Sequence, residues 1–331
     1  MLVRCSILTV VLSSLALSQE PLAPTKLPSP WRVGEKVRFE VTSSRDLSIG
    51  GPVPISTLAL DIEVLRAKGA GHVLAWRSKE LRTELDGTLT FDADDPAFGK
   101  SNMGLMAIAN SRVVVPLQTD EKGTVTGVAD RPALEASVAE VVEWLKKERL
   151  SRARSDEERK RIVNMMKLPD QHKTAAIMAI DDLTNITAAC GADLRAEKSS
   201  QLKIGLPLAD LEGRQFSATK KIEVVKDDRE RKAIQFRIGM RLDPQGAREA
   251  AEAMDRAFAE ALGKDHTKAE SRVIEYDVAI ESVVDLATGL PLQVSTVTRL
   301  KIGTISTTQR REYRRLREEK PASRPETRPA R

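Results

Sequence analysis

The sequence predicts an α+β fold: a large curved antiparallel sheet of long strands packed against several helices. Three observations carry that expectation. Apolar and polar residues alternate with period two toward both ends of the chain, as in Val37, Phe39 and Val41 and in Ile234, Phe236, Ile238, Met240 and Leu242. The strand pattern over 272–286 is 15 positions long. At ~3.3 Å per residue it would run about 50 Å, so it must coil and curve or be broken by a bulge. Between the two β-rich parts, about 130–188 reads as helical, and a second helix is expected at about 244–262.

The elements follow in order. Leu58, Leu60, Ile62 and Val64 continue the alternation, and the turn Lys68-Gly69-Ala70-Gly71 leads into a run from Val73 to Leu81. Asp86-Gly87 is a two-residue hairpin signal before Leu89 and Phe91. Val113, Val115 and Leu117 precede the turn Asp120-Glu121-Lys122-Gly123, with Val125 beyond it. The pattern is an antiparallel meander with one wet face. Asp130 then caps a helix that tolerates Pro132 in its first turn and aligns Leu134, Val138, Val141, Val142 and Leu145. Ser155 and Glu158 have capping-box spacing, and a third helix is expected over 171–188. In the C-terminal part, Asp243 caps a helix with Pro244 in its first turn and Ala247, Ala251, Met254, Phe258 and Leu262 on its inner stripe. Two long strands then meet at Ala287-Thr288-Gly289, and a last strand runs from Ile305 to about Tyr313.

The ends differ from this body, which is expected over 31–316. Arg4, the apolar run Ile7–Leu17, and the small residues Ala16 and Ser18 before Gln19 have the form of a secretory signal peptide over 1–18. That reading makes the chain periplasmic or secreted after cleavage near Ser18. Gln19 rather than Cys after the cleavage point argues against a lipid anchor. Residues 19–30 form a Pro-rich linker, and 317–331 an Arg/Pro-rich tail; both are too poor in apolar area to offset chain entropy and are expected to be disordered. No second apolar segment is long enough for a transmembrane helix.

Composition narrows the function classes. Once Cys5 is removed with the signal, Cys190 is the single thiol, so no intrachain disulfide can form. A chain held by its core alone suits a bacterial envelope protein better than an animal secreted one. Cys190 itself is expected to be a buried, unreactive thiol. The formal charge of +5 is misleading, because residues 310–331 alone hold eight Arg and one Lys against four Glu. With aromatics at 3% and an export signal, nucleic acid is an unsuitable partner.

Local motifs for catalysis or metal binding are weak. Gly99-Lys100-Ser101 ends like a phosphate loop, but Asp94 stands where the first Gly belongs, so the segment reads as a loop. Asp92, Asp94 and Asp95 cluster carboxylates without the Gly and distal Glu of a calcium loop. His72, His172 and His266 stand apart from one another, outside metal-ligand spacings. Ser217-x-x-Lys220 and Ser200-x-x-Lys203 match a nucleophile spacing that needs a helix, whereas Ser217 lies in a strand pattern. Asn185-Ile186-Thr187 fits a glycosylation sequon but falls in a predicted helix. Arg310, Arg311, Arg314, Arg315 and Arg317, interleaved with Glu, read as a solvated strand end or helix that could meet anionic lipid. No catalytic, cofactor-binding or metal residue is assigned, and no cofactor is implied.

Trp31-x-x-Gly34-x-x-Val37-x-Phe39 after an export linker, Asp120-x-x-Gly123-x-Val125 and Asp285-x-x-Thr288-Gly289-x-Pro291 resemble the turn grammar of uncharacterised exported β-rich bacterial proteins. The body is also similar to the periplasmic lipoprotein-carrier class, whose curved sheet cups helices. The resemblance implies a non-catalytic envelope protein that binds an apolar ligand, such as lipid, or an envelope protein on the concave side of its sheet. A hydrolase with a dispersed site and a structural or assembly protein are the competing classes.

Overall fold

The computed structural model describes residues 26–47, 50–51, 53–93, 95, 97, 102–165, 171–192, 199–208, 214–228, 230–261 and 274–316. Residues 1–25, which hold the segment read as a signal peptide and the start of the linker, and the Arg/Pro-rich tail 317–331 lie outside them.

The strands are β1 (Lys36–Leu47), β2 (Ile55–Lys68), β3 (Gly71–Leu85), β4 (Thr88–Asp92), β5 (Val115–Thr119), β6 (Val125–Val128), β7 (Ser200–Pro207), β8 (Gln215–Asp228), β9 (Ala233–Leu242), β10 (Ile274–Asp285), β11 (Pro291–Ile302) and β12 (Ile305–Leu316). The described helices are α1 (Asn102–Arg112), α2 (Arg131–Arg152), α3 (Asp156–Met165), α4 (Gln171–Ile186) and α5 (Pro244–Ala261). The twelve described strands join one antiparallel sheet in the order β6-β5-β3-β2-β1-β12-β11-β10-β9-β8-β7, with β4 beside β3. Two meanders, β1–β6 and β7–β12, therefore meet where the first strand pairs with the last, for example Val41 opposite Tyr313.

Period-two patterning sets which face is dry. In β9, Ile234, Phe236, Ile238, Met240 and Leu242 are buried, while Arg237, Gly239 and Arg241 are exposed between them. The helices pack on the dry face, where Phe39, Leu60, Leu74, Phe236 and Tyr313 are fully enclosed. The wet face carries cross-strand ion pairs, among them Arg38–Asp61, Arg241–Asp277, Lys301–Glu275 and Arg314–Glu40. Such exposed pairs contribute little to stability individually.

The predicted caps are present. Asp130 Oδ1 accepts from Ala133 N at 3.0 Å, Ser155 Oγ from Glu158 N at 3.2 Å, and Asp243 Oδ1 from Gly246 N at 2.9 Å. Leu134, Val138, Val141 and Leu145 are the buried stripe of α2. At Asp86 and Gly87 the φ values are 51° and 74°, the left-handed pair that a two-residue hairpin requires.

Several expectations are corrected. The long run at 272–286 appears as a 12-residue strand with a register shift between Val283 and Val284, while residues 272–273 lie outside the described set. Among the described residues the longest strand is β3, with 15 residues. Helix α1 lies where no element was expected; Leu105, Ala107 and Ala109 are buried, yet small alanines give little periodic contrast. On α5, Ala250 and Ala253 are buried beside Ala251, whereas Phe258 and Leu262 fall outside the described side chains. Strand β7 carries too weak an alternation to be seen.

The last part of the Pro-rich linker is also ordered against the body, contrary to the composition argument. Leu27 is 6% exposed and its amide donates to Ala192 O at 3.3 Å. A methyl group on Gly289 would stand 2.3 Å from Pro28 O, and one on Gly123 would stand 2.5 Å from Pro30 Cδ. Trp31 Nε1 donates to Gly123 O at 2.9 Å, and Gly34 N to Val64 O at 2.8 Å. Residues 26–34 thus form a strap that touches the β5–β6 turn and the β10–β11 turn. Leu27, Pro30 and Trp31 supply the apolar area that the rest of the linker lacks.

Candidate functional site

Strands β1, β2 and β3 form one wall of a cavity, and α1, α2 and α4 close it from the other side. Its volume is about 810 Å³. The sheet contributes Ser43, Ser56, Leu58, Trp76, Ser78 and Leu81, and the helices contribute Ala107, Ala109, Val138, Val141, Leu145 and Met178 among others. The stripe that makes α2 amphipathic is the same stripe that lines this space. The small residues of α1 keep it open, because Ala107 and Ala109 occupy positions where larger side chains would project into it.

Strand register orders the sheet wall into rows. Tyr313, Val41 and Leu58 lie side by side on the dry face, as do Phe39, Leu60 and Ser78. Two residues further from the strap, Arg311, Ser43, Ser56 and Thr83 form a polar row across β12, β1, β2 and β3. Ser56 Oγ and Thr83 Oγ1 are 3.2 Å apart and share a hydrogen bond.

Beside the cavity, a buried polar cluster ties α4 to β12. Arg311 Nη1 donates to Asp182 Oδ1 at 3.1 Å and also to Asp181. The Tyr313 hydroxyl donates to Asp182 Oδ1 at 2.9 Å and accepts from Asn185 Nδ2 at 3.3 Å. With the Gln309 amide oxygen turned toward it, Arg311 donates from Nη2 at 2.9 Å and from Nε at 3.0 Å. Every guanidinium nitrogen of Arg311 is therefore engaged. Burial pushes the Asp182 carboxyl up to about 6 against the opposing pull of Arg311. Burial also works against the Arg311 charge, but Tyr313, Asp181 and Asp182 outweigh it and hold the guanidinium protonated. Trp76 stands between cavity and cluster. Its indole N–H is near enough to Asp182 to favour the carboxylate, without meeting an acceptor at full hydrogen-bond geometry.

This cluster corrects the reading of the arginine-rich end as wholly solvated. Alternation along β12 turns Arg311 and Arg315 inward, where Arg315 donates to Thr288 Oγ1 at 3.2 Å and Asp285 Oδ2 at 3.3 Å. Arg310 and Arg314 face out, and Arg317 lies outside the described residues. The sequon is likewise internal: Asn185 is 3% exposed and Thr187 1%.

The other sequence candidates do not converge. Cys190 is buried, and its thiol is pushed up to about 12 by desolvation. Lys220, lowered by burial, donates to Ala188 O at 2.6 Å. Ser217 Oγ instead donates to Asp243 Oδ2 at 2.5 Å, and Lys203 Nζ approaches the same oxygen at 3.1 Å. Hydrogen bonds from Gly246 and Ser217 hold Asp243 down at about 2, so it is too weak a base to activate that serine. The Ser200 spacing is broken the same way: Lys203 turns to Asp243 from β7. Asp92 pairs with Arg82, and Asp95 Oδ1 accepts from Ala97 N. Asp94 and Gly99-Lys100-Ser101 lie outside the described residues, as do His266 and the His172 side chain. His72 opens β3, where its amide meets Thr119 Oγ1. Among the described residues no group of three or more His, Cys, Asp or Glu could hold a metal. Among them, too, no helix is long and apolar enough to cross a membrane.

No protein-family model matches the chain, and no curated protein matches it in sequence. Among solved structures it is similar to one described as lipid–protein interactions in lipovitellin, at a TM-score of 0.42 and 10% identity. The match covers 88% of this chain but spans only 26% of that one. A likeness of that degree defines no class of protein. The fold stands on its own geometry as a large open antiparallel sheet with helices on its dry face.

Proposed function

We propose that the chain is an exported, non-catalytic envelope protein that binds an apolar ligand on the concave side of a curved sheet. The observation that carries this reading is the cavity of about 810 Å³ between β1–β3 and α1, α2 and α4. Ligand sites are concave, mostly apolar and of about 300–1,000 Å³, with a few polar groups. This space fits on all three counts, and a fully packed sheet–helix interface would have left nothing of its size.

Curvature is supported by what the sheet encloses. Helix α4 touches β5, β6 and β11, although β3, β2, β1 and β12 separate β5 from β11 within the sheet. The strap reaches both the β5–β6 and the β10–β11 turns over Pro28–Trp31. A flat sheet with strands ~4.8 Å apart would hold those elements more than about 20 Å from each other.

A non-catalytic role rests on the fate of the reactive groups. The Ser217 proton is committed to a weakly basic carboxylate, and the Cys190 thiol is held neutral. Export rests on the form of residues 1–18. N-terminal sequencing of the protein from an envelope fraction is expected to begin at Gln19.

The ligand test is organic extraction of the purified protein followed by mass spectrometry, with uptake of the apolar dye N-phenyl-naphthylamine as a parallel readout. A co-purified long-chain molecule and saturable dye binding are expected. An extract free of such molecules, with no dye uptake, overturns the reading.

A further inference from the structure

We infer that the cavity takes a neutral acyl lipid with a hydroxyl-bearing head, of the monoacylglycerol type, rather than a fatty-acid anion or a phospholipid. This inference rests on the apolar-ligand reading above and specifies the head group.

Charge is the first argument. Among the described residues that line the cavity Lys79 is the one that carries a charge, and its Nζ lies 2.9 Å from Asp61 Oδ2. Asp61 sits between the buried Leu60 and Ile62, so it belongs to the wet face of the sheet. Arg311, in register with the lining residue Ser43, spends its guanidinium on Asp181, Asp182 and Gln309. Neither cation is left for a carboxylate or a phosphate. Two carboxylates face that one guanidinium, so an anionic head placed beside Ser43 would meet net repulsion once Asp182 is ionised. An anion transferred into such a space without a partner loses its hydration with nothing in return.

The hydroxyl row is the second argument. Ser43 and Ser56 pair directly across β1 and β2 on the dry face, and both line the cavity. Ser78 lines it two rows nearer the strap, opposite Leu60. Asn110 and Ser111 face the same space from α1, and the Ser111 hydroxyl donates to Ile108 O. These groups donate and accept without carrying charge, which matches the hydroxyls and ester carbonyl of an acylglycerol. The apolar share of the lining, Leu58, Val138, Val141, Val142, Leu145 and Met178, is left for the acyl chain. A pure hydrocarbon would fill that share but give Ser43 and Ser78 no partner once water is displaced, while Ser56 keeps its bond to Thr83 Oγ1.

The experiment compares monopalmitoylglycerol with palmitate by isothermal titration of the full chain at about pH 8, where palmitate is ionised. N-phenyl-naphthylamine binding is measured alongside, and the comparison is repeated with S43A/S56A. Monopalmitoylglycerol is expected to bind about tenfold more tightly than palmitate. The double variant is expected to lose about tenfold for monopalmitoylglycerol and to keep its dye affinity, which also shows that it is folded. Equal or tighter binding of palmitate by the unmodified chain overturns the head-group inference, while dye uptake leaves the apolar-ligand reading standing. No binding of either lipid or the dye overturns both.

Discussion

The Tyr313 hydroxyl donates to Asp182 Oδ1 across 2.9 Å, joining the last strand to α4 inside the core. Tyr313 has no exposed surface and Asp182 is 6% exposed, so the bond has no aqueous substitute. Replacing Tyr313 by Phe keeps the ring and removes the donor. A buried acceptor left short of a partner costs about 1–3 kcal/mol. Urea unfolding of Tyr313→Phe should show a loss of that order with an unchanged slope. An unaltered midpoint would mean that the hydroxyl contributes no net stability.

Asp182 also gives the protein a pH signature. Its folded value is about 6 against 3.8 for the free group, because burial opposes its charge. Between those values the folded chain holds a proton that the unfolded chain has released. Stability from this group is therefore greatest at low pH and falls as pH rises from about 4 to about 6. Asp182→Asn keeps the site neutral throughout. The stability of the original chain relative to this variant should decline across that window, and a flat difference would refute the assignment.

Asp243 acts in the opposite sense. It caps α5, holds Ser217 and Lys203, and sits at about 2, below the usual 3.8. Its contribution is present above about pH 4 and is lost as pH falls toward 2. Asp243→Ala should speed amide exchange in the first turn of α5 at neutral pH. The stability gap between Asp243→Ala and the original chain should close as the medium is acidified.

The strap can be separated from ordinary glycine strain. Gly289 and Gly303 have φ of 72° and 61° in two hairpin turns. Only at Gly289 would a methyl group meet another segment, 2.3 Å from Pro28 O. Gly303→Ala should cost about 1–2 kcal/mol from the left-handed backbone alone. Gly289→Ala should cost more, and proteolysis near residues 26–34 should become faster. Equal losses in the two variants would place no energy in the strap.

The cavity can be filled from α2. Val142 lines it and is only partly buried, so Val142→Phe adds volume where there is space. Dye binding should fall by about tenfold or more, while the thermal midpoint holds or rises. A variant that binds dye as before would place the ligand elsewhere.

Much of the sheet and little of the site was legible in the sequence. Ile234–Leu242 declares a half-buried strand residue by residue, and Asp86-Gly87 declares a hairpin, because both signals are local. The pairing of β1 with β12 leaves no such trace, since nothing near Val41 specifies Tyr313. Arg311 looked solvated because its neighbours are charged; only the alternation along β12, together with Asp181 and Asp182 far away in sequence, turns it inward. The cavity was hidden for a related reason. Its wall includes α1, whose Ala107 and Ala109 are informative through what they leave unfilled, and its polar row is assembled from serines on different strands. Leu27 and Trp31 were the readable hint that the linker does not stay loose to its end.

Because β1 pairs with β12, the middle of the sheet is the last part that can be completed. Ribosomal order delivers Lys36–Leu47 more than two hundred residues before Ile305–Leu316. Until the final strand emerges, each meander keeps a raw edge at the future seam, β1 in the first and β11 in the second, and neither can satisfy its row of amide and carbonyl groups. The step that locks the two meanders together therefore waits for nearly the whole polypeptide.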